Sequence, residues 1–244
     1  MKKIIIGIAV LTGFALTANA QFDLKNMKDQ INKNIPATST AAKALSNDDI
    51  ISGLKEALTV GTNNSTSMSS KLNGFYQNAQ IKIPFPTGTK NMESTLRSIG
   101  MGKQVDKSIL TMNRAAETAT KEAAPIFINA IKGMTITDGL TILKGNDDAA
   151  TNYLKSNTSN ELLTKFKPII QKALQQVQIT KYWNPLVTAY NKVPFVEKMN
   201  PDLDGYVTDK AIEGLFFLVA QEEGKIRKDP SARVNDILKK VFAQ

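Results

Sequence analysis

The stretch QVDKSILTMNRAAETATKEAAPIFINAIKGM, residues 104–134, decides the fold class. It reads as one long helix interrupted at Pro125, where the missing N–H and the ring's clash with the preceding turn predict a kink or a restart. Ala115, Ala116 and Ala119 make a small face on which another helix can approach closely. Arg114 and Glu117 stand three apart on adjacent turns and can pair. A charged pair beside an alanine face is expected to be partly buried. Asn113 adds a third polar group, and Asp138, in a later Thr-Ile-Thr-Asp block, is a candidate fourth. Two roles are open to the set. Arg114 binds an anion while Glu117 or Asp138 serves as acid or base, or the groups satisfy one another between packed helices.

On the N-terminal side, Ser46-Asn47-Asp48-Asp49 supplies a cap and first-turn acids for a helix carrying Ile50, Ile51, Leu54, Ala57 and Leu58. Gly61 to Ser70 is polar and weakly helical, so that helix is expected to fray or to continue exposed. Phe75 to Pro86 is the one extended stretch: Ile81, Ile83 and Phe85 alternate with Lys82 and Pro84, and the prolines forbid a central strand. A short helix with Met92, Leu96 and Ile99 then stops at Gly100 and Gly102.

On the C-terminal side, Thr137 is expected to cap a turn through Leu143 that Gly145 ends, and Asn146 or Asp147 to open the next helix. Leu162 to Ile179 is strongly helical with a break expected near Pro168. Tyr182 to Val193 carries Trp183, Pro185, Leu186 and Tyr190. Thr208 or Asp209 is expected to begin the most apolar helix outside the leader, and Asp229-Pro230 to open a last one. Gly and Pro, 14 and 9 in 244 residues, fall below the roughly 12% of an average chain. The expected fold is all-α, a multi-helix bundle with one short extended segment.

The first residues stand apart from that bundle. Met1-Lys2-Lys3 is a basic start, Ile4 to Leu16 is apolar, and Ala18-Asn19-Ala20 places small residues where a signal peptidase reads. The apolar run is shorter than the about 20 residues a membrane span needs. The expected organisation is a signal peptide over 1–20, a short amphipathic helix and tether over 21–45, and a single helical domain over 46–244. The expected location is the periplasm of a Gram-negative bacterium, after a cut following Ala20.

Composition removes several chemistries. With no Cys and no His there is no thiol nucleophile, no Ser-His-Asp arrangement and no disulfide framework. The preferred ligands of zinc, copper, haem and iron–sulfur sites are missing too. No cofactor and no metal are expected. Lys and Arg number 31 against 22 Asp and Glu, and the excess concentrates between residues 75 and 134. No stretch resembles the dense basic patch of a phosphate-tracking groove, so nucleic acid is not an expected partner. The mild positive field suits peripheral contact with an anionic lipid surface, and equally an ordinary solvated face.

Several separated blocks follow one another along the chain in an order that is informative. They are Leu45-Ser46-Asn47-Asp48-Asp49-Ile50 with Gly53-Leu54-Lys55-Glu56-Ala57-Leu58, then Ile81-Lys82-Ile83-Pro84, Met112-Asn113-Arg114-Ala115-Ala116-Glu117 and Met134-Thr135-Ile136-Thr137-Asp138. Ile142-Leu143-Lys144-Gly145 before Ala149-Ala150-Thr151 follows, and Gly214-Leu215-Phe216 before Glu222-Glu223 and Ile226-Arg227. Together these blocks resemble one bacterial exported family, domain of unknown function 4197, and the resemblance implies an exported, predominantly helical protein and no particular activity.

Three further constellations stand out in the sequence. Asn200-Pro201-Asp202-Leu203-Asp204-Gly205 resembles the front of an EF-hand loop, but its twelfth position is Ala211 where a bidentate Glu belongs, so a turn leading to a Thr208 cap is the expectation. Glu222, Glu223, Arg227 and Arg233 form a second expected ion network, with Glu223 and Arg227 in the favourable i, i+4 order. Phe216, Phe217, Trp183, Tyr182 and Tyr190 suit a core before they suit a ligand pocket. The function these features favour is a non-catalytic binding or envelope-associated protein, partnered by a ligand or an envelope protein. The alternative is a hydrolase built on Arg114, Glu117 and Asp138, and an open cleft around those residues separates the two.

Overall fold

Ser46 caps the first helix as the sequence predicts: its Oγ accepts the Asp49 amide at 3.1 Å, and Asp49 Oδ2 accepts the Ser46 amide at 3.2 Å. The computed structural model describes residues 46–86, 92–94, 97–176, 183–184, 187–188, 191–192, 198–199, 202–229 and 239. The leader, the tether, most of the Tyr182–Val193 segment and the helix expected after Asp229-Pro230 lie outside the described residues.

Residues Leu45–Gln244 form one compact unit. Its described residues contain six α-helices and no strand: α1 (Asn47–Ser70), α2 (Gly102–Ala119), α3 (Ala123–Gly133), α4 (Ile136–Lys144), α5 (Ala149–Gln176) and α6 (Leu203–Lys228). The fold is all-α. Helix α5 lies against α2 and α6, and α6 also packs on α1. Ala115, Ala116, Ala119 and Ala123 are all fully buried, as the small face requires if α2 and α5 are to approach closely. Leu154, Leu162, Phe166, Ile170 and Leu174 give α5 one continuous buried stripe.

The interruption expected at Pro125 falls just before it. A 3-10 turn over Thr120–Glu122 separates α2 from α3, which leaves Pro125 in the first turn of α3, where its missing N–H is not needed. No break occurs at Pro168: α5 runs through it without interruption. Pro168 is exposed while Phe166 and Ile170 on either side are buried, so packing offsets the forfeited backbone bond.

The expectation for Gly61–Ser70 is corrected. That segment is the second half of α1, and Gly61, Thr62, Ser65, Thr66 and Ser69 are buried. The hydroxyls of Thr62, Ser65 and Ser69 each donate to the carbonyl four residues back at 2.8–2.9 Å, so three of the four buried hydroxyls need no partner outside the helix, while that of Thr66 is buried without one. Two caps also shift. Thr135, not Thr137, caps α4, and Asp202, not Thr208, caps α6 by accepting the Gly205 amide at 2.8 Å. Thr208 lies inside α6 and donates to the Asp204 carbonyl.

The extended stretch keeps its period-two burial: Ile81, Ile83 and Phe85 are buried while Lys82 and Pro84 are exposed. Its backbone runs through turns at 72–77 and 79–81. Phe75 is completely buried against Gly214 of α6, where an added Cβ would come within 2.8 Å of the ring and 3.1 Å of Ile81 Cβ. On an exposed helix, Gly→Ala would stabilise by about 1 kcal/mol. At Gly214 overpacking against an immobile ring costs about 1–3 kcal/mol and wins. Gly214→Ala is therefore expected to lower the melting temperature by several degrees in a thermal melt, and a rise would show that Phe75 has room to move.

Candidate functional site

The first polar cluster is built on one face of α2. Glu117 is buried, and its Oε1 accepts the amides of Phe75 at 3.1 Å and Tyr76 at 3.2 Å. Its Oε2 receives Arg114 Nη1 at 2.5 Å. Arg114 Nη2 in turn donates to Asn73 Oδ1 at 2.6 Å, holding the one non-glycine residue with a left-handed backbone among those described, φ 68°. One turn earlier, fully buried Asn113 exchanges both bonds with Ile83: the Ile83 amide donates to Oδ1 at 2.8 Å and Nδ2 donates back to the Ile83 carbonyl at 2.8 Å. The remaining Nδ2 proton goes to the Ile109 carbonyl at 2.7 Å. Asn113 thus takes the part of a strand neighbour, and every polar atom of its amide is occupied.

Asp138 does not join this cluster. Its carboxylate accepts the Thr135 amide and hydroxyl in the capping box of α4, at 2.9 Å and 2.7 Å, and those bonds hold it below the usual carboxylate range. No hydrogen bond or ion pair links it to Asn113, Arg114 or Glu117. The arrangement around Glu117 has no vacant carboxylate oxygen facing a cleft. What it can do is bind backbone.

The second cluster joins three helices. Glu223 of α6 is buried and presents both oxygens to the start of α5: Oε1 accepts the Ala150 amide at 3.0 Å, and Oε2 accepts the amide and hydroxyl of Thr151 at 2.8 and 2.7 Å. Arg227 donates to Glu223 Oε1 through Nε and Nη2, and Nη2 also reaches the Ile142 carbonyl at 2.9 Å in the last turn of α4. One i, i+4 pair therefore places a negative charge at a helix N-terminus and a positive charge at a helix C-terminus, the sense the helix dipoles favour. Lys228 pairs with Asp147 in the intervening turn at 2.5 Å and holds that carboxyl low. Glu222 faces the other way, taking Lys225 at 2.5 Å and Asn64 of α1 at 2.9 Å. Arg233 lies outside the described residues. A cavity of about 20 Å³ beside Glu223, lined by Leu54, Leu58, Ile142 and Ile226 among others, holds at most about one water molecule.

The other constellations are distributed through the fold. Phe216 packs edge-on against Phe127 with centroids 5.7 Å apart, and buried Trp183 against Phe85 at 5.5 Å. Phe217 is exposed, and Tyr182 and Tyr190 lie outside the described residues. In the EF-hand-like loop, Asn200 and Pro201 are likewise outside them, and Asp202 is occupied as the α6 cap. Among the described residues no three His, Cys, Asp or Glu side chains converge as a metal site. Asp204 Oδ1 is buried without a hydrogen-bond partner, and burial together with the neighbouring Asp202 charge pushes its carboxyl up.

The sequence over residues 44–243 matches the family described as "Protein of unknown function (DUF4197)". The chain belongs to that family. No curated protein and no solved structure matches the chain. Blocks that carry the family resemblance meet in these networks: Asn113 bonds Ile83 of the Ile81–Pro84 block, and Glu223 and Arg227 bond Ala150, Thr151 and Ile142.

The two partners of the Arg114–Glu117 bridge are unequal. Arg114 is about one-third exposed and Glu117 one-twentieth. Glu117→Ala strands two amides and the guanidinium, a loss of about 3–5 kcal/mol. Arg114→Ala leaves the two amide bonds to Glu117 intact and should cost less, about 1–2 kcal/mol. Denaturant titration of both variants and of the double variant should give that order, with the double variant damaged less than the sum. Equal, near-neutral single variants would return the pair to the role of an open anion site.

Asp204 gives a pH-dependent test. Its raised carboxyl means that the folded state binds this proton more readily than the unfolded state, so the charged form costs stability above the raised value. The cost disappears as pH falls below the ordinary carboxylate range, near pH 4. Asp204→Asn should raise the melting temperature at pH 7 and leave it unchanged near pH 3. A lowered melting temperature at pH 7 would mean that attraction to the α6 N-terminus outweighs burial.

Proposed function

We propose that this chain is an exported, periplasmic helical protein that works by binding or docking in the envelope and performs no catalysis. Its organisation in this proposal is a leader over 1–20, a short helix and tether over 21–45, and the helical domain over 46–244. The observation that carries the proposal is the state of the buried carboxylates Glu117 and Glu223. Glu117 and Glu223 each use both oxygens on donors of their own chain. A general acid or base needs a proton-accepting atom within reach of substrate, and neither group offers one. Asp138, the third member of the hydrolase alternative, is occupied by Thr135. Export is supported by the basic start, the apolar run Ile4 to Leu16 and Ala18-Asn19-Ala20. No single helix among the described residues is long and apolar enough to cross a membrane.

N-terminal sequencing of protein taken from a periplasmic extract should begin at Gln21. Met1 retained on cytosolic or membrane-bound material would overturn export. Turnover of ester, phosphate or glycoside substrates that is lost in a folded Glu117→Gln variant would overturn the non-catalytic role.

A further inference from the structure

Helix α2 turns its acids inward or aside and its bases outward. Lys103, Lys107 and Arg114, with Lys121 in the 3-10 turn that follows, fall within about 40° of one another on a helical wheel. The three lysines are exposed. Glu117 lies buried beneath Arg114, and Asp106 is paired with Arg97. Glu122, the remaining acid, stands about 80° round from the stripe. None of the three lysines makes an ion pair or a hydrogen bond among the described residues.

A single apolar side chain projects beside this stripe. Leu72 is 74% exposed, the most exposed of the large hydrophobic residues described. It sits between exposed Lys71 and left-handed Asn73, and the Asn73 side chain is tied to Arg114 at 2.6 Å. The same turn carries Tyr76, whose ring lies 4.6 Å from Lys82 Nζ and 5.8 Å from the Arg114 guanidinium. Leu72 thus adjoins a residue tied to Arg114, in the middle of the cationic stripe, in a turn that follows exposed Lys71.

We propose that this face docks on an anionic lipid surface, with Lys71, Lys82, Lys103, Lys107 and Lys121 against the phosphate headgroups and Leu72 entering the acyl boundary. Charge complementarity alone would serve any polyanion. The projecting leucine selects lipid, because a soluble polyanion gives it nothing to bury against, whereas interfacial binding grows with apolar area as well as charge. One leucine and a handful of lysines make a reversible, salt-sensitive contact. The surface exists whatever the compartment, while its use in the envelope rests on the export proposed above.

The test is co-sedimentation with vesicles of equal parts phosphatidylglycerol and phosphatidylcholine, beside pure phosphatidylcholine vesicles and soluble dextran sulfate. The protein should be the processed form from its own periplasm or, failing export, the full chain, in which residues 1–20 contribute equally to every variant. Wild type should bind the anionic vesicles and not the neutral ones. The triple variant Lys103→Glu, Lys107→Glu, Lys121→Glu should lose about tenfold or more in vesicle affinity, as expected for reversing three cations at a charged surface. A control, Lys155→Glu, Lys165→Glu, Lys172→Glu on exposed positions of α5, changes net charge equally and should lose far less. Leu72→Asn, which removes the apolar side chain without changing charge, should weaken vesicle binding and leave dextran sulfate binding unchanged. Equal losses from the two triple variants, or no vesicle binding by wild type, would overturn the proposal. Vesicle binding indifferent to Leu72→Asn would overturn it in favour of an acidic polymer. Because the vesicles report on the surface and N-terminal sequencing on the compartment, each can fail without the other.

Discussion

An irregular segment inside a helical bundle has no ladder to satisfy its amides and carbonyls, and a buried amide without a partner is costly. Residues 71–86 meet that constraint through α2. Glu117 takes two consecutive amides, and Asn113 takes both polar groups of Ile83. With those bonds made, Phe75, Ile81, Ile83 and Phe85 can be buried in the main core. Gly214 then has to be a glycine, because the Phe75 ring occupies the space of its side chain. The alanine face of α2 belongs to the same arrangement: the helix turns one flank to the irregular segment through polar groups and the other to α5 through methyl groups.

Helix ends pose the same problem elsewhere. The turn between α4 and α5 leaves carbonyls at one end and amides at the other without helical partners. Glu223 and Arg227, one turn apart on α6, serve both ends at once. Lys55 does the same singly for α3, donating to the Lys132 carbonyl at 3.0 Å. These contacts span 72 to 85 residues of sequence. They tie helices together without widening the hydrophobic core, and because donor and acceptor are charged or partly charged they are directional as burial is not.

Local chemistry was legible in the sequence and tertiary chemistry was not. The Ser46 cap, the helix restart near Pro125, the alternation through Ile81, Ile83 and Phe85, and the pairing of Arg114 with Glu117 all follow from spacing within a few residues. The errors share a cause. Thr62, Ser65 and Ser69 read as exposed because their side chains are polar, yet the helix itself absorbs their hydroxyls. Pro168 suggests a break by backbone preference alone, which the packing of Phe166 and Ile170 overrides. Thr208 read as a cap because Asp202 was absorbed into a calcium motif. Asn73, Asn64 and the Glu223 contact with Ala150-Thr151 had no local signal, since each bond is made to a residue at least 41 positions away.

The distribution of charge follows from the same commitments. Glu117, Glu222 and Glu223 are buried because the fold needs acceptors for amides and guanidinium groups inside. Lysine offers only donors, and its long apolar stem lets the ammonium stay in water. These three carboxylates are therefore drawn into the bundle, while no described lysine is buried. Net charge is unchanged by this sorting, but local fields are not: α2 carries four cations and three acids if the following 3-10 turn is counted, and still presents a face with no carboxylate on it. The interior that fixes the irregular segment and the exterior that meets a partner are consequences of one residue pattern, in which Glu117 points inward from the helix turn where Arg114 points out.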